Sequence, residues 1–90
     1  MRKPKITNYE EALAAVREEG QALQDVPESL KTAELCLEAV KQNGEALDYV
    51  PESLKTVELC LVALKQDDRA LEYVPEELRK EVRRRVKRGE

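Results

Sequence analysis

Apolar positions recur along this chain with a period of 24 residues. Residues 20–43 and 44–67 align without a gap, and 17 of the 24 positions are identical. Within the second copy, Leu35, Cys36, Leu37, Ala39 and Val40 wrap most of a helix circumference, leaving Glu34, Glu38, Lys41 and Gln42 as a polar stripe. A helix that is apolar on several sides needs neighbours on several sides, so a unit this small buries its surface only by stacking on its copies.

The local signals repeat with the same period. Asn8 (in register competition with Thr7), Thr32 and Thr56 offer a side-chain oxygen to the first free amides of a helix of about 11 residues. Glu10, Glu34 and Glu58 follow in the first turn, and Arg17, Lys41 and Lys65 lie near the end, each on the side the helix dipole favours. Gly20 and Gly44 follow as C-terminal stops, able to take positive φ without a Cβ clash. The third copy has Asp68 there, a poorer stop. A short helical segment around Ala22-Leu23, Ala46-Leu47 and Ala70-Leu71 then leads into Val26-Pro27, Val50-Pro51 and Val74-Pro75. The proline ends that segment and opens one further turn. Each unit is therefore a longer helix, a short helix and a proline-initiated turn.

The ends of the chain depart from this pattern. Residues 1–5 are polar and expected to fray. Glu11 replaces Leu35, giving the first helix the wetter outer face that a capping repeat needs. Lys80 replaces the capping threonine, so residues 75–87 are expected to form one uninterrupted helix. Leu78, Val82 and Val86 give it a narrow apolar stripe that closes the stack. The predicted fold is all-α: a short α-solenoid of stacked repeats, of either hand, in a single domain over 1–90, with repeats near 6–19, 20–43, 44–67 and 68–90.

The stretch Glu34-Leu35-Cys36-Leu37-Glu38-Ala39-Val40-Lys41-Gln42-Asn43-Gly44, followed by Ala46-Leu47-Asp48-Tyr49-Val50-Pro51-Glu52, resembles a bacterial helical repeat family of unknown function. Copies in that family carry an Ala-Val-Lys-x-Asn-Gly-x-Ala-Leu core. The resemblance runs from Ile6 to about Arg79. It implies tandem stacked helices and brings no catalytic residues with it. Asp68, Lys80 and the arginine-rich end lie outside its pattern.

Composition adds one asymmetry. The net charge of −3 divides into 9 basic and 17 acidic residues over 1–77, and 7 basic and 2 acidic residues over 78–90. The chain is an acidic body with a basic end. No apolar run is long enough to span a bilayer and no signal-like segment follows the first charges, so a cytoplasmic location is expected.

Candidate chemistry is sparse. The chain has no histidine and two cysteines, Cys36 and Cys60, too few for a zinc site. Both cysteines occupy one repeat position and read as small apolar fillers. No phosphate-binding loop or nucleophile motif is present, so no catalytic, metal or cofactor residues are expected and an enzyme is the least favoured class.

Three features remain as interaction candidates. Tyr49 and Tyr73 share one repeat position and either form an aromatic surface or cover the neighbouring short helix. Val62 replaces Glu38 in the polar stripe, and is either covered by the terminal helix or part of a contact patch. Arg83, Arg84 and Arg85 either bind phosphates or are a solvated helix end. The expected role is a scaffolding or protein-binding module whose partner is another protein or a second copy. Nucleic-acid binding through the basic helix, which the acidic body opposes, is the alternative. A stand-alone or engineered repeat without a partner is a third reading, and membrane insertion is not expected.

Overall fold

A computed structural model describes residues 6–89, and the expectation of a frayed start at 1–5 lies outside them. Among the described residues, four α-helices form where the caps and periodicity place them: α1 (Tyr9–Glu18), α2 (Ala33–Gln42), α3 (Val57–Gln66) and α4 (Glu76–Lys87). The first three are 10 residues long. Each is capped by the expected residue. Asn8 accepts from the Glu11 amide at 2.9 Å, and Thr32 and Thr56 accept from the Leu35 and Leu59 amides at 3.1 Å. Glu11 also turns back to accept from the backbone N–H and hydroxyl of Thr7 at 2.9 and 2.6 Å. The side chain that replaces a core leucine thus reinforces an exposed helix start.

The short helical segments are 3₁₀ in geometry. Six-residue segments run over Gly20–Asp25, Gly44–Tyr49 and Asp68–Tyr73, and single turns over Glu28–Leu30 and Glu52–Leu54. Tight turns of this kind suit short pieces between α-helices. No strand occurs among the described residues.

The glycine expectation is overturned. Gly20 and Gly44 do not adopt positive φ; among the described residues only Gly89 does, at 81°. The α-helices stop instead at Glu19, Asn43 and Asp67, in extended backbone with φ of −148°, −154° and −158°. Each donates its N–H to the carbonyl of Ala15, Ala39 or Ala63 at 3.0 Å. Asn43 and Asp67 then cap the following 3₁₀ segment, accepting at 2.9 Å from the amides of Glu45 and Arg69.

The glycines serve the packing between repeats. A Cβ on Gly20 would stand 2.3 Å from the carbonyl oxygen of Ala39, and one on Gly44 would stand 2.4 Å from that of Ala63. Each repeat leans on its successor so closely at this point that only hydrogen fits.

The α-helices stack on one another in chain order, and so do the six-residue 3₁₀ segments. Between them lies one continuous core. Leu23, Leu35, Leu47, Val16, Val40, Cys36 and Cys60 are fully buried in it. Burying a leucine this completely contributes about 1.5–3 kcal/mol. Leu37 and Leu61 are half-buried against the core rather than facing solvent. The described molecule measures 43 × 21 × 18 Å, the long direction expected of a stack.

A buried lysine stem ties consecutive repeats together. The Lys31 ammonium donates to the Glu28 carboxylate and to the Tyr49 carbonyl of the next repeat, both at 2.9 Å. Lys55 repeats the first of these contacts, to Glu52 at 2.8 Å.

Candidate interaction surface

The fourth helix opens where the other copies have a single 3₁₀ turn. Pro75 precedes α4 without a side-chain cap, and with Lys80 in place of a capping threonine the helix runs on for 12 residues. Its register therefore differs from that of α2 and α3. Val82 is fully buried against the stack, whereas Val86 is 50% exposed. The expected stripe docks at its centre and lifts away at its end.

This departure vacates part of the surface on which a further repeat would stack. Leu64, Asp68 and Leu71 are the repeat equivalents of Val40, Gly44 and Leu47. Val40 and Leu47 are fully buried, whereas Leu64 and Leu71 remain partly exposed. The space between α3 and α4 is a groove of about 470 Å³. Leu61, Leu64, Leu71, Val82 and Val86 form its apolar floor and walls, and Lys65, Arg83, Lys87 and Asp68 form its rim.

The basic end is partly neutralised from within. Arg85 donates to Glu81 at 3.0 Å and to Glu58 of α3 at 3.3 Å. Arg84 pairs with the other oxygen of Glu81. Arg79 donates to the carbonyls of Val74 and Glu72 at 3.0 and 3.3 Å, capping the end of the last 3₁₀ segment. Arg83 has no ion-pair partner among the described residues and lies beside the groove.

The remaining candidates lie elsewhere. Val62 is half-buried and lines a second groove, between α2 and α3, with Ala33, Leu37, Leu54 and Leu59. No α4 residue lines that groove. Tyr49 and Tyr73 are half-buried against the core. The Tyr73 phenol is pushed up, first by partial desolvation and then by the Glu72 carboxylate and the more distant Asp48 and Glu45.

Cys36 and Cys60 are free thiols inside the core. Burial pushes Cys36 up to about 11 against the opposing effect of the Lys31 charge, and it raises Cys60 in the same way. Both are protonated at neutral pH and inert as nucleophiles. No group of three or more metal-ligating side chains occurs among the described residues. Nor does any described helix have the length and apolarity to cross a membrane.

The sequence singles out Val62, the two tyrosines and the arginines, and does not mark the leucines that form the groove. Asp68 was the available signal, because it breaks the glycine position that the other repeats use for stacking.

Comparison with known proteins gives one positive finding. A family model described as a domain of unknown function, DUF4116, matches residues 8–55 and again residues 32–79. The two matches differ in start by one repeat, and each begins at a helix cap, Asn8 or Thr32. The family unit therefore spans two of the 24-residue modules. No curated protein and no solved structure matches the chain. Covering 8–79 between them, these matches show that the chain belongs to the DUF4116 family of unknown function.

Proposed function

We propose that the protein is a non-enzymatic helical-repeat module that binds another protein at the end of its stack. The observation that supports this is the α3–α4 groove, with Val86 at its mouth 50% exposed, and with Leu64 and Leu71 partly exposed where their equivalents in the preceding repeat, Val40 and Leu47, are buried. An apolar surface left open beside a closed core is the usual mark of a contact site. The alternative of phosphate binding draws less support, because Arg84 and Arg85 are held in ion pairs with Glu81 and Glu58.

The test compares proteins retained from the source cells by the wild type and by Val86→Glu, quantified by mass spectrometry. A partner retained by the wild type and lost by the variant is the expected result. An identical set of retained proteins overturns the assignment of this groove as the contact surface.

A further inference from the structure

We propose that the α3–α4 groove receives an amphipathic α-helix with an acidic flank, supplied by a different protein. This inference rests on the protein-binding reading above and specifies the chemistry of the partner.

Between repeats, the surface formed by Val40, Gly44 and Leu47 is covered by the next repeat, whose α3 carbonyl at Ala63 lies against Gly44. The equivalent surface after α3 is only partly covered, because α4 is out of register. What fits the vacated space is another helix, presenting apolar side chains at i, i+3, i+4 and i+7.

Lys65, Arg83 and Lys87 surround the leucine floor, with Asp68 as the one carboxylate. Arg83 carries no ion pair among the described residues. Three cations against one acid favour an incoming helix whose flanks are Glu or Asp.

Asp68 also argues against a second copy as the occupant. The opposite end of the stack shows Ala15 and Ala22, the equivalents of Ala39 and Ala46 that dock on a preceding repeat, flanked by Glu18 and Glu19. Joining two copies end to end would place residue 68 against the Ala15 carbonyl, as Gly20 meets that of Ala39. Glycine alone fits that joint, and aspartate brings both a Cβ and a negative charge beside Glu19. The same residue that leaves the end open thus bars its use for self-stacking. A helix laid over Leu64, Leu71 and Val86 does not need that close approach.

The experiment uses the full chain and a fluorescein-labelled synthetic helix of about 16 residues, long enough to be helical when bound. One version flanks a leucine stripe with glutamates, and a second substitutes lysines. Anisotropy should show the acidic version binding more tightly than the basic one, and more weakly as salt rises. Val86→Glu and the pair Lys65→Glu, Arg83→Glu should each weaken it by roughly tenfold or more. Val62→Glu, in the other groove, should leave it unchanged. Circular dichroism checks that the variants fold.

Equal binding of both peptides, no binding, or binding indifferent to Val86→Glu overturns the inference. If cellular partners are nevertheless lost on Val86→Glu, the protein-binding reading stands and only the acidic-helix assignment falls. Wild-type self-association in light scattering that Val86→Glu dissolves makes a second copy the occupant and overturns the inference. A labelled DNA duplex that binds and is released by Arg83→Ala overturns both readings.

Discussion

At the scale of single residues, a small number of positions decide whether the copies can meet. Gly20 and Gly44 sit at the start of 3₁₀ segments with ordinary negative φ, and their value lies across the repeat boundary. Replacing Gly44 with alanine sets a Cβ 2.4 Å from the backbone oxygen of Ala63, which cannot rotate away. Helix propensity alone predicts that this change stabilises the chain, because glycine is the costlier residue in a helical segment. Steric overlap predicts the reverse, a loss of about 1–3 kcal/mol. Urea denaturation of Gly44→Ala gives the sign directly, and a rise in midpoint would contradict the packing role. The recurrence of glycine every 24 residues was visible in the sequence, but its reason was not. The contact that requires it joins residues 19 positions apart, and no local rule reports such a pair.

At the scale of elements, the sequence was most legible where the determining contacts are local. Asn8, Thr32 and Thr56 bond amides three residues ahead, so cap and helix start are written in adjacent letters. Removing the Thr56 hydroxyl with alanine should cost about 1 kcal/mol, the usual worth of such a cap. Thermal unfolding followed by circular dichroism checks this, and an unchanged transition would mean that packing alone sets the start of α3. The long fourth helix was legible for the converse reason, since Lys80 offers no cap at which to restart. What could not be read was how far α4 would follow the stack. Val82 docks and Val86 does not, because the helix enters from Pro75 out of register with α2 and α3. That angle depends on tertiary packing and leaves no periodic trace. The leucines of the candidate surface were hidden for the same reason: Leu64 and Leu71 look like core residues, and are core residues in every earlier copy.

At the scale of the whole molecule, stability is shared along a line. Each described repeat touches its neighbours, and the core passes unbroken through the stack. Such an assembly gains its cohesion from interfaces between copies as much as from any copy itself. α2 packs against both α1 and α3, whereas the contact of α4 with α3 is thinner. Protection should therefore be greatest in the middle and decline outward.

Native-state amide hydrogen exchange, residue by residue, in the wild type and in Gly44→Ala is the measurement that reaches the central claim most directly. Amides of α2 and α3 should open at the free energy of global unfolding, and the substitution should lower both helices together. Loss of protection confined to the segment that carries the alanine, with α2 and α3 otherwise unchanged, would show that the repeats stand by themselves.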